Sequence, residues 1–156
     1  MLHVYHFDGT TLPLPEGHRF PHEKYPRLRQ ALLDQGVLHP REMLPAPPAS
    51  RDDLLLAHTP EYVDSILDGT ADLKMMRQIG LPWSTELVQR SLVSVGGTVA
   101  AAHAALHDGI AGNLGGGTHH AAAGEGAGFC VFNDVAVAFL KLRAGGRIQR
   151  AAVVDL

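Results

Sequence analysis

The sequence predicts a single-domain α/β protein whose parallel sheet is covered by helices on both faces. Helical stretches alternate with short, wholly apolar runs, as expected of strands buried on both sides. With 46% apolar and 19% charged residues, the 156-residue chain can bury one substantial core and has little room for a second domain. A glycine-rich stretch lies where a strand should hand over to a helix, the ligand-binding edge of open parallel sheets.

Each element follows from local chemistry. Leu2 to Phe7 mixes β-branched, aromatic and histidine residues over one strand length, closed by Asp8-Gly9. Pro13, Pro15, Gly17 and Pro21 mark an extended surface segment. A helix begins near Glu23, with Tyr25, Leu28, Ala31 and Leu32 at helical spacing and Gly36 as its stop. Four prolines between His39 and Ser50 predict a loop, and the apolar stretch from Asp52 to Ala57 an extended segment. Thr59-Pro60-Glu61-Tyr62 is a helix start: threonine caps, proline suits the first position and glutamate the positive end of the dipole. That helix stops at Gly69. Ser84 opens the longest helix, to about Leu106, with Leu87, Leu92, Val95, Val99 and Ala102 on its apolar side. Gly96-Gly97 inside it costs roughly 1 kcal/mol per glycine against alanine, which implies close packing of this helix on the sheet. Ile110 to Leu114 is a short strand. Val131 to Leu142 is a helix with Val135, Ala138, Phe139 and Leu142 facing inward, ended by Gly145-Gly146. Ala151 to Leu156 then reads as a buried strand.

Composition removes several function classes. Thirteen basic and 16 acidic side chains give a net charge of -3, so no global field draws nucleic acid. No apolar run approaches the ~20 residues of a membrane helix, and the first residues lack the basic start and apolar body of a signal peptide. The single cysteine, Cys130, excludes an internal disulfide framework. A soluble, cytoplasmic protein without a direct nucleic-acid or membrane partner is expected.

The chemistry concentrates between Gly115 and Gly128, where six of 14 residues are glycine and His119 and His120 are adjacent. On a strand, neighbouring side chains point to opposite faces, so both rings reach one site only if the backbone bends sharply. Flanking glycines permit that bend. Two imidazoles in a cleft are natural general acid–base groups, each needing an acceptor to fix its tautomer. Asp155 is placed to be such an acceptor, at the end of a strand expected at the same sheet edge. Spacing alone also allows Asp155 to be a turn residue and the histidines to be ordinary hydrogen-bonded loop residues. The loop has no GxxxxGK[ST] and no lysine, which argues against phosphate binding. His3, His6, His18, His22, His39, His58, His103 and His107 form no tight metal-ligand motif, and Cys130 reads as a small packed residue.

The segment Gly115-Gly-Gly-Thr-His119-His120-Ala, followed by Gly126-Ala-Gly128-Phe129-Cys130-Val-Phe-Asn133-Asp134, resembles the histone deacetylase superfamily, in particular its bacterial members. Gly17-His18-Arg19-Phe20-Pro21, His58-Thr59-Pro60-Glu61-Tyr62 and Ser94-Val95-Gly96-Gly97-Thr98 match further family blocks in the expected order. The resemblance implies a three-layer α/β/α fold of the arginase/deacetylase type and zinc-dependent hydrolysis of an acyl amide, with metal-activated water. It implies that His120 is general base and then acid, and that His119 is its electrostatic partner. Asp155 matches the first aspartate of a DxDxH block, pairing with His119 and helping to hold a monovalent cation, potassium or sodium. Gly128 and Phe129 resemble the wall of an acyl-lysine tunnel.

Several positions depart from that pattern. Thr118 stands where eukaryotic class I enzymes carry a bulkier residue, and Lys24 where many relatives have an arginine below the site. No acidic residue lies between Ile79 and Pro82, where class I enzymes place a rim aspartate, so small acetylated amines are as well suited as acyl-lysine. The resemblance puts every zinc ligand beyond Leu156. The chain, residues 1–156, is therefore expected to be the N-terminal part of a single deacetylase-like domain, catalytically inactive alone and prone to self-association through an exposed sheet edge. A non-catalytic binding module and an arginase-like ureohydrolase are the alternative readings.

Overall fold

A computed structural model of the chain describes residues 2–7 and 11–155, so Asp8-Gly9 and Leu156 lie outside the described residues. The sheet has three parallel strands in the order β2-β1-β3: β1 (His3–His6) is central, between β2 (Met43–Pro45) and β3 (Ala111–Asn113). Val4 pairs with Met43 on one side and with Gly112 on the other. Six helices surround it: α1 (Lys24–Asp34), α2 (Arg51–Leu54), α3 (Pro60–Leu67), α4 (Leu73–Ile79), α5 (Thr85–Asp108) and α6 (Asp134–Ala144).

Capping chemistry sets most helix boundaries. The side chains of Thr59, Asp72, Ser84 and Asn133 each accept a hydrogen bond from a backbone N–H in the first turn of α3, α4, α5 and α6. The expected helices from Glu23, Thr59 and Ser84, and the short strands at the start and at Ile110, are all present. α4 has a cap and a glycine stop but falls in a stretch the sequence left unassigned.

Four expectations are corrected. Asp52 to Ala57 is not extended: Ser50 and Asp53 close a reciprocal capping box that winds residues 51–54 into α2. Within the proline-rich His39–Ser50 loop, a 3-10 turn at Pro40–Glu42 leads into β2, too short to show a period. Pro45 is tolerated there because β2 is an edge strand. The last helix begins at Asp134, not Val131, because Asn133 caps it; Val137 rather than Val135 is fully buried. Finally, residues 151–155 form no strand and are exposed, with Val154 at 79%. A strand needs a neighbour to take its N–H and C=O groups, and none lies along this segment among the described residues.

The main core joins Leu54, Val63, Ile66, Ile79, Leu87, Val95, Phe132 and Val137. Each such side chain contributes roughly 1.5–3 kcal/mol by leaving water. A smaller cluster of Val4, Leu38 and Met43, covered by Leu32 and Leu33 of α1, seats that helix on the sheet, while Leu28 faces solvent. α5 lies against β1 and β3. The close packing on the sheet expected at Gly96-Gly97 holds for Gly97, where a Cβ would lie 2.8 Å from the Asn113 amide nitrogen of β3; a Cβ on Gly96 would instead lie 2.0 Å from the Pro47 carbonyl oxygen, in the loop that follows β2.

Gly96→Ala is expected to lower stability by at least about 2 kcal/mol, since backbone rather than a flexible side chain blocks the methyl group. Gly124→Ala, where a Cβ meets nothing within 4 Å, should stay within about 0.5 kcal/mol of the parent. Urea unfolding midpoints of the two variants check the contrast.

Candidate active site

The glycine-rich loop between β3 and α6 is fixed from below by one buried carboxylate. Asp134, 0% exposed at the first position of α6, accepts from the Thr98 hydroxyl at 2.5 Å and from the backbone N–H groups of Gly117 and Thr118, both at 2.8 Å. Thr98 sits on α5, so this carboxylate ties α5, the loop and α6 together. Asn113 at the end of β3 extends the network by donating to the Thr98 hydroxyl and to the Ser94 carbonyl. The Thr118 hydroxyl donates to the Phe132 carbonyl at 2.6 Å, closing the loop on itself. Gly116 has no room for a side chain, since a Cβ there would lie 2.7 Å from the Thr98 hydroxyl oxygen and 2.9 Å from the Asp134 carboxylate.

The upper part of the loop is held by three more side chains. Asn133 donates through Nδ2 to the carbonyls of His119 and Ala121, at 3.2 and 2.9 Å. His58 bridges the two arms of the loop, accepting from the Asn133 N–H at 2.9 Å and facing the Ala123 carbonyl at 3.3 Å. The Tyr62 hydroxyl donates to the Val131 carbonyl at 2.6 Å, and burial pushes its pKa above the ordinary tyrosine value.

This frame brings His119 and His120 to the same side of the molecule, their ring centroids 4.5 Å apart and both residues exposed. His119 Nε2 lies 3.5 Å from an Asp155 carboxylate oxygen. The expected juxtaposition is present, but Asp155 is not the buried strand residue anticipated: its side chain is 77% exposed on the irregular segment 151–155. An ion pair that open to water contributes little to stability.

Gly128 and Phe129 stand beside the histidine pair. They are the central residues of a tight turn closed by hydrogen bonds between Ala127 and Cys130, and both have positive φ, +55° and +66°. That is the dihedral demand of a type I′ turn, and for phenylalanine it costs roughly 1–2 kcal/mol. The Phe129 N–H donating to the Ile79 carbonyl at 2.7 Å and the ring packing on Phe20 and His18 hold it there. A Cβ on Gly128 would meet the His120 ring at 3.4 Å, so this glycine lets the ring approach the turn. His18 and Phe20 also line a cleft of about 510 Å³. Lys24 is exposed, with its ammonium 4.9 Å from the centre of the Tyr25 ring; the cation over both Phe20 and Tyr25 is Arg90 of α5.

Among the described residues no three or more His, Cys, Asp or Glu side chains group as a metal cluster, so the two histidines and Asp155 do not make a zinc cage. Cys130 is buried, and burial raises its thiol pKa, which fits packing rather than nucleophilic use. His3 pairs with Asp108, and His39 caps the 3-10 turn. No described helix is long and apolar enough to cross a membrane.

Asp134→Asn replaces one of the two carboxylate oxygens by an NH2 group facing a backbone N–H and should cost about 2–4 kcal/mol. Thr98→Val, which removes the donor to Asp134 and an acceptor of Asn113 while keeping the volume, should cost about 1–2 kcal/mol. Chemical denaturation with an unchanged m-value checks both.

Three comparisons bear on this geometry. An uncharacterized protein of Picosynechococcus sp. is 46% identical over 153 residues, covering 98% of this chain and 51% of that protein. Histone deacetylase 2 of Arabidopsis thaliana is 31% identical over 160 residues, covering 96% of this chain and 40% of the relative. A crystal structure of an HDAC homolog complexed with SAHA superposes with a TM-score of 0.76 at 25% identity, over 93% of this chain and 42% of that one. An HDAC homolog from Aquifex aeolicus, at 24% identity and a TM-score of 0.74, shares the fold. The chain thus spans about half or less of the length of these relatives. The arrangement belongs to the deacetylase-type α/β fold. With residues 18–156 matching the histone deacetylase domain, the chain belongs to the histone deacetylase family.

Proposed function

We propose that this chain is the N-terminal part, residues 1–156, of a single deacetylase-like domain that hydrolyses acetyl or acyl amides of lysine or of small amines. The observation that carries the reading is the pair of adjacent, exposed imidazoles, 4.5 Å apart and tilted by 38°, on a loop whose backbone is held from several sides. In amide hydrolysis a water loses a proton on attack and the departing amine must gain one. His120, nearer the Gly128–Phe129 turn, takes the first proton and delivers the second. His119 sits between His120 and Asp155, where the carboxylate steadies positive charge shared by the two rings. Gly128 and the Phe129 ring form an apolar wall against which an alkyl chain can lie.

Zinc supplies carbonyl polarisation in this reading, and its protein ligands lie outside the described residues. The family likeness also gives Asp155 a part in holding a monovalent cation, potassium or sodium. The outer edge of β3 is unpaired among the described residues and favours addition of a further strand, from the same domain or from a second copy. A non-catalytic binding module remains the competing reading, and cytoplasmic location belongs to the same proposal as the activity.

The 156-residue chain alone should show no stoichiometric zinc and no deacetylation of an acetyl-lysine peptide or an acetylated small amine. A version extended to the length of its relatives should show both, and His120→Ala in it should lower kcat by about 10²- to 10⁴-fold with zinc content unchanged. Elemental analysis and a discontinuous amine-release assay decide the matter. Stoichiometric zinc in the short chain, or full activity in His120→Ala, overturns the reading.

A further inference from the structure

His58 is 4% exposed, just after α2, between the Tyr62 and Phe132 rings at centroid distances of 5.6 and 5.4 Å. Both of its ring nitrogens are committed to one loop, one to each arm. A backbone N–H only donates and a carbonyl only accepts. The Asn133 contact therefore needs a bare Nε2, and the Ala123 contact a protonated Nδ1. Asn133 in turn grips the His119 carbonyl through Nδ2. A short chain of hydrogen bonds thus runs from the His58 ring to the backbone of the histidine pair.

We propose that His58 is a positioning residue for the His119–His120 loop that works only as the neutral Nδ1–H tautomer, so that protonation of His58 releases Asn133 and loosens the loop. The link between His58 and the loop stands on geometry alone; its consequence for catalysis rests on the acid–base reading of the pair.

The surrounding groups offer no compensation. On α3 the Tyr62 hydroxyl is spent on Val131, and Asp64 pairs with Arg51 of α2. Asp53 of α2 pairs with Lys141 of α6, and Asp134 at the head of α6 is occupied by Thr98, Gly117 and Thr118. On the loop, Glu125 accepts from Gln78, and His119 faces Asp155 with the His120 ring beside it. Among the described residues no carboxylate pairs with His58. Burial accordingly holds its pKa below the ordinary histidine value of 6.5, partly opposed by the Ala123 carbonyl. A depressed folded value means the unfolded or released state takes the proton first. The ordering is fully present above about pH 6.5 and is lost as pH falls from there through the folded value.

Nitrogen-15 imidazole spectra and amide exchange of the full chain, from pH 7.5 to 5, test this. At pH 7.5 His58 should show protonated Nδ1 and bare Nε2. As His58 takes its second proton, protection of the Asn133 amide, corrected for intrinsic exchange, should fall about tenfold per pH unit while Val99 in α5 stays protected. H58Q, whose oxygen can accept near the Nε2 position and gains no proton, should make that protection independent of pH; His58→Phe should lower it at every pH. An Nε2–H tautomer at pH 7.5, Asn133 protection unchanged as His58 protonates, or the same pH dependence in H58Q would overturn the proposal. The wild-type titration decides alone if neither variant folds. Absence of deacetylation by the extended protein would defeat the functional reading and leave these signals untouched, so the two failures are separable.

Discussion

The structure depends first on a carboxylate that has left water. Asp134 is fully buried, a position that costs several kcal/mol for an unpaired charge and is tolerable only when donors surround it. Here a hydroxyl from α5 and two successive N–H groups of the loop converge on it. The same contacts satisfy backbone donors that a glycine-rich segment would otherwise leave to solvent. α5, the loop and α6 therefore cannot shift independently, and α5·α6 is the most extensive helix pairing of the molecule. The loop acquires order from polar side chains at its base, not from its own sequence.

That division of labour explains what was legible in the sequence. The exposed ends of the network announce themselves: adjacent histidines among glycines, a threonine-proline helix start, a long helix opened by Ser84. The fixing residues do not. His58, Thr98, Asn113, Asn133 and Asp134 are individually common residue types spread over 77 positions of the chain, and only folding brings them under one loop. Most stood inside recognisable blocks, His58 to Tyr62, Ser94 to Thr98 and Asn133-Asp134, yet nothing in composition or period assigns them a task. Gly96-Gly97 was the exception, because two glycines in a helix have few purposes other than close approach, and the Pro47 carbonyl supplies the reason.

The misreadings have a common cause as well. Periodicity needs several residues to register, and β2 has three and α2 four. In α2 the reciprocal bonds of Ser50 and Asp53 outweighed the apolar run that suggested a strand. At the other end, an apolar alternation at 151–155 supplied strand propensity without a neighbour to satisfy it. Propensity proposes an element, but hydrogen-bond partners determine whether it forms.

The turn at Gly128–Phe129 constrains which side chains position 129 can carry. A residue in a left-handed backbone is chosen by main-chain conformation before it is chosen by what it touches. Valine and isoleucine, the obvious ways to reshape an apolar wall, are disfavoured there because a branched Cβ cannot tolerate the dihedral; asparagine and glycine tolerate it but give up the aromatic face. Sequence change in this turn is therefore steered away from position 129 and toward the residues that lean on its ring, His18 and Phe20, whose backbones carry no such restriction.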